Sequence, residues 1–185
     1  MRLLVFFLAV LLVAVPVFGQ VAIEPGPSYR IFSSKIEGVN FQPKADITIP
    51  VSYLIPVTEN GQHNFKVIGG PGIGTGYTVA TFGMGYAYAP ALKDKVIVGA
   101  TMIFDITWPD AELSESLIGI DSEEAWLNIG LQFGLDAEVS GLPLSAAIGA
   151  TYGLREAPDQ VSVIFRIPTQ PSSAEKRVTR AAPDS

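Results

Sequence analysis

The sequence contains no cysteine. That excludes a disulfide scaffold, a thiol nucleophile, an iron–sulfur cluster and cysteine-ligated zinc, so the fold is held without covalent cross-links. Histidine is almost as scarce. The single one, His63, lies beside the turn signal Asn60-Gly61, where a solvated position is the ordinary outcome and a catalytic triad is not expected. Positive charge is also in short supply: 12 Lys and Arg against 18 Asp and Glu give a net charge of −6 and a pI near 4.7. Without a basic patch to neutralise phosphates, nucleic acid is excluded as a partner class.

Long apolar runs are missing too, with one exception at the start. Arg2 is followed by an unbroken apolar stretch from Leu3 to Val15 and by Val17-Phe18-Gly19, an acceptable small-residue cleavage site. Together these read as a secretory signal over residues 1–19, because the run is shorter than the roughly 20 residues a spanning helix needs. The remaining chain of about 165 residues is the size of one domain. Only 16% of residues are charged and the mean hydropathy is +0.35, high for a soluble chain. A lipid-facing surface accounts for both.

What the chain has in quantity is alternation. Leu127 to Asp136 switches strictly between apolar residues and polar residues or glycine, and Leu144 to Leu154 gathers Ser145, Ala147, Gly149, Thr151 and Gly153 on one face. The same reading predicts eight strands, near residues 28–37, 45–57, 63–70, 76–88, 95–108, 125–137, 142–154 and 160–168, with no helical period. Short turns are expected at Thr58 to Gln62, Ala89 to Asp94 and Ser140-Gly141. Longer connections are expected at Gly38 to Lys44, Gly69 to Thr75, Pro109 to Glu124 and Arg155 to Asp159. Glycines 70, 72, 74 and 76 superficially suggest a phosphate-binding loop, but no Gly-Lys-Ser/Thr follows and no helix pattern succeeds them.

Register tests whether the strands share one inside. A two-residue turn at Ser140-Gly141 sets Val139 opposite Leu142, Asp136 opposite Ser145, Gln132 opposite Gly149 and Asn128 opposite Gly153. Across the acidic loop, Asp105 then faces Asn128 and Thr101 faces Gln132. One face is polar and glycine-rich, and the other collects Val98, Met102, Phe104, Leu127, Leu131, Phe133, Ile148, Val163 and Phe165. Eight strands enclose an interior that side chains just fill, so the large apolar set is expected outside, against lipid. The expected lumen network comprises Arg30, Lys66, Asp105, Asn128, Gln132, Asp136 and Arg166, with Arg166 placed near Gly149 and crossing toward Asp136. Asp105 and Asp136 fall near opposite ends, too far apart for paired acid–base work. Trp108, Tyr77 and Tyr152 at the long-loop end, and Tyr86 and Tyr88 at the short-turn end, fit two interfacial girdles.

This pattern resembles the small eight-stranded outer-membrane barrel family, including OmpA-like and OmpX-like barrel domains, over about residues 27–168. The expected fold class is all-β: an eight-stranded antiparallel up-and-down transmembrane β-barrel over residues 20–168. A polar tail follows at 169–185, expected to be disordered and open to trypsin at Lys176 and Arg177. The expected role is structural or surface interaction in a bacterial outer membrane, with a filled lumen and no enzymatic activity, cofactor or metal. The alternative is a soluble periplasmic or secreted barrel or sandwich that binds a small apolar ligand.

Beyond lipid, the expected partner is an extracellular or envelope protein, met through the 109–124 loop. Within that loop Leu113, Leu117, Ile118 and Ile120 are the candidate contacts, forming either a short helix or an apolar contact patch. Its carboxylates Asp110, Glu112, Glu115, Asp121, Glu123 and Glu124 match no calcium-loop spacing and read as a solvated acidic surface.

Overall fold

A computed structural model describes residues 20–39, 42–90, 96–122 and 124–169. The secretory segment expected over 1–19 and all but the first residue of the tail expected over 169–185 lie outside the described residues. Within them the alternating segments become β1 (Gln20–Ile23), β2 (Gly26–Phe32), β3 (Pro43–Thr48), β4 (Val51–Pro56), β5 (His63–Gly74), β6 (Tyr77–Tyr88), β7 (Val96–Pro109), β8 (Trp126–Val139), β9 (Leu142–Gly153) and β10 (Gln160–Arg166). One helix, α1 (Ala111–Ile118), lies between β7 and β8.

These ten segments make eight staves, because two of the staves are interrupted by proline. Ile23 pairs with Val51 and Gly26 with Thr48, so β1 and β2 keep one register against β4 and β3. Likewise β3 and β4 face β5 in a single register, with Thr48 opposite Gly72 and Val51 opposite Gly69. Pro25 and Pro50 have no N–H to give the ladder. Glu24 N–H to the Pro50 carbonyl (2.8 Å) and Ile49 N–H to the Pro71 carbonyl (2.9 Å) hold the chain on either side.

From β5 the ladder runs through β6, β7, β8 and β9 to β10, which pairs back onto β2. The seam continues past β10, where the N–H groups of Ile167 and Thr169 each donate over 3.0 Å to the carbonyls of Pro25 and Ile23. The sheet therefore closes on itself as an eight-stranded antiparallel barrel with no free edge.

One expectation is corrected and one alternative is decided. The glycine stretch 69–75 is not a long loop: Gly69 to Gly74 belong to β5, Gly74 pairs with Tyr77, and only Thr75-Gly76 makes the turn, with Gly76 at φ 83°. The glycines serve close approach, since a Cβ on Gly70 would stand 2.5 Å from the Ile49 carbonyl oxygen at the proline break. In the 109–124 loop it is the short helix, and not the apolar contact patch, that the structure forms, as α1, although no helical period was read along the chain. Asp110 caps it by accepting from Leu113 N–H at 2.8 Å, and Gly119 closes it at φ 76° with an N–H bond to the Glu115 carbonyl. Eight residues carry too few turns for periodicity to register, so the Asp110 cap and the Leu113/Leu117 spacing were the readable signals.

Leu113 and Leu117 fold inward onto Phe32, Tyr77, Val79, Trp126 and Ala157, forming an apolar cap over the long-loop end of the barrel. Phe32 makes edge contacts with Tyr77 and Trp126 at centroid separations of 5.3 and 5.8 Å. At the opposite end the Ser140-Gly141 turn has φ values of 53° and 81°, the doubly positive pair of a tight hairpin, and sets Val139 opposite Leu142 as expected.

Candidate functional site

Period two puts every second side chain inside, and eight staves leave room there for little else. The inward positions nearest the cap carry charge. Arg30 on β2 is 1% exposed and lies 2.7 Å from Asp46 on β3 and 3.0 Å from Asp105 on β7. Ser28 and the Tyr77 hydroxyl both donate to Asp46, the latter over 2.7 Å, and Thr81 donates to Asp105. Gln160 on β10 donates to Asn128 at 2.8 Å, and Asn128 donates to the Pro158 carbonyl at 2.7 Å. A guanidinium taken out of water needs this density of partners, because an unpaired buried charge is far more costly than a paired one.

A second charged group lies toward the short-turn end. Arg166 on β10 lies 3.4 Å from Glu24, which also accepts from Ser52, and Lys66 on β5 lies 3.6 Å from Asp136 on β8. Between the two groups, the inward sequence on β7 passes Ile103 and that on β10 passes Ile164, both buried. The lumen is thus layered: apolar cap, ionic cluster, isoleucines, ionic cluster.

The structure brings the expected residues to these places but pairs some differently. Asp105 faces Asn128 and Thr101 faces Gln132, as the register requires. Arg166, however, stands opposite Ser145, while Gly149 stands opposite Ser162, so the expected placement of Arg166 at Gly149 is corrected by four residues. Its guanidinium bonds Glu24 and not Asp136, which takes Lys66.

Sequence reasoning missed Asp46, Glu24, Gln160 and Tyr77. Asp46 shares parity with Thr48, so its alternation was visible. Glu24 lay ahead of the expected strand start, hidden by Pro25 and Pro27. Tyr77 was assigned to an outer girdle but is buried, with its hydroxyl on Asp46.

In the 109–124 loop, Leu113 and Leu117 are buried in the cap and Ile118 is half-buried against it, leaving Ile120 exposed. A partner would meet the acidic rim and Ile120 rather than a four-residue apolar patch. His63 places Nδ1 against the Tyr86 hydroxyl at the opposite end. Among the described residues no three His, Asp or Glu side chains gather as metal ligands, and no helix is long and apolar enough to cross a membrane.

No family model matches the chain, and no curated protein matches it. Among solved structures it is similar to Neisserial surface protein A, with a TM-score of 0.53 at 14% identity over 81% of this chain and 97% of that one. The attachment invasion locus protein Ail of Yersinia pestis aligns over 82% of this chain and 97% of that one, at 7% identity and a TM-score of 0.48. The likeness to the first is one of fold. It agrees with the small eight-stranded barrel that the strand pattern resembles.

Proposed function

We propose that the protein is a barrel of a bacterial outer membrane with a structural or surface-interaction role, and that its lumen is a filled core and not a conduit. One observation carries this reading: the polarity of the wall is the reverse of a soluble barrel's. Arg30, Asp46, Asp105, Asn128 and Arg166 are buried inside, while Ile47, Ile73, Met84, Met102, Leu131, Phe133 and Ile148 stand exposed outside. A carrier of apolar ligands in water needs the opposite arrangement. Trp108 and Tyr152 toward the long-loop end, and Tyr86 and Tyr88 toward the turns, are outward and exposed, as interfacial aromatics should be. In this reading α1 and the acidic rim face the cell exterior.

Fractionation tests the location. The full chain expressed in a Gram-negative host is expected to stay with membranes through carbonate and urea washes and to require detergent for extraction. Recovery in the soluble periplasmic fraction would overturn the membrane reading. Planar-bilayer recording tests the closed lumen. No steady conductance is expected, because the cap and both ionic clusters occupy the path, and a sustained current at the level of a general porin would reassign the protein to transport.

A further inference from the structure

We propose that the short-turn half of the lumen contains a binding site for one structural water, held by Arg166 Nε, Gln132 Nε2 and Asp136 Oδ1. These three buried atoms have no hydrogen-bond partner in the protein, and all three residues line one small cavity together with Lys66, Thr101 and Ser145. Gln132 and Arg166 are both more than nine-tenths buried. Buried polar atoms in native proteins are satisfied by protein or by ordered water, since leaving one unmade forfeits the full hydration it gave up. The cavity measures about 20 Å³, enough for one water, which needs roughly 10–15 Å³ of such space.

The donor pattern selects water over an ion. Two of the three atoms are N–H donors and the third is a carboxylate oxygen that only accepts. A water can take both N–H bonds and donate a proton to Asp136. An anion accepts but cannot donate, and would face the Asp136 carboxylate; a cation would face Arg166 and Lys66. Seated there, the water joins the Lys66–Asp136 pair to the Glu24–Arg166 pair. It also supplies through one intermediary the Arg166–Asp136 link that the direct geometry does not make. Lys66 and Asp136 keep 12% and 18% side-chain exposure, so exchange with solvent runs through the turn end.

The test is a high-resolution crystal structure of the complete folded barrel grown in sodium bromide, alongside Ala147→Val, whose added methyls enter the same cavity. The expected result is one oxygen-sized density peak about 2.7–3.2 Å from all three atoms, with no bromide anomalous signal. In Ala147→Val the peak is expected to disappear and the temperature of the folded-to-unfolded gel shift to fall. Three outcomes overturn the proposal: a dry site, direct bonding of Arg166 to Asp136, or a bromide peak. If Ala147→Val does not fold, the density in the unaltered protein decides alone.

Discussion

Replacing Arg30 with methionine is expected to lower the unfolding free energy of the barrel by about 3–5 kcal/mol, measured by urea titration in lipid vesicles. The side chain is similar in length, so little packing is lost. What remains is a pair of carboxylates, Asp46 and Asp105, that no longer face a cation and have been taken almost wholly out of water. The triple variant Arg30→Met, Asp46→Asn, Asp105→Asn is expected to recover most of the loss, because it removes the uncompensated charge along with the pair. A cost below about 1 kcal/mol for the single variant would show that the cluster is solvated, and the filled lumen would have to be given up. Lys66→Met provides the contrast: its 3.6 Å contact with Asp136 is partly open to solvent and should be worth about 1 kcal/mol or less.

The second large effect belongs to the outer wall. Leu131 projects outward near the middle of β8 and is 51% exposed. Leu131→Arg is expected to destabilise the vesicle-embedded barrel by about 2–4 kcal/mol, the range for a cation on a lipid-facing strand at mid-bilayer. On a water-facing surface the same change would fall within about 0.5 kcal/mol. The substitution therefore separates the membrane barrel from the soluble carrier by measurement, and a near-neutral result would favour the carrier.

How much of this was legible before the structure depends on what each residue's neighbours could reveal. Face assignment was legible almost everywhere, because period two is local. The register of β8 against β7 and β9 was legible too, since a two-residue turn leaves no slack and the acidic loop happened to preserve parity. Partner choice inside the lumen was not. Arg166 and Asp136 share a face, but the 155–159 connection leaves the position of β10 along β9 open, and a four-residue offset put Arg166 beside Glu24 instead. Pro25 hid the start of the first stave, because proline ordinarily ends a strand, whereas the second stave was read as one strand across Pro50. In β5 the run of glycines looked like a loop, though it is the low-profile wall that two interrupted segments need beside them. The inward turn of Leu113 and Leu117 depended on contacts with Phe32 and Trp126, which no local window contains.

The seam between the first and last staves governs how such a molecule comes together. Ile23 and Thr169 are hydrogen-bonded although 146 positions separate them, whereas the other neighbouring staves are joined through the connection next in sequence. Hairpins such as β8–β9 can form from local chain alone, but a sheet of seven staves still presents two raw margins and an Arg30 with no partner across the interior. Contacts of such long sequence separation require loop-closure entropy to be overcome before they return any stabilisation, which places this topology among slow folders of high contact order. Ring closure, rather than strand formation, is the expected rate-limiting event. The arrival of β10 is then the moment at which the margins vanish and the interior charges find one another together.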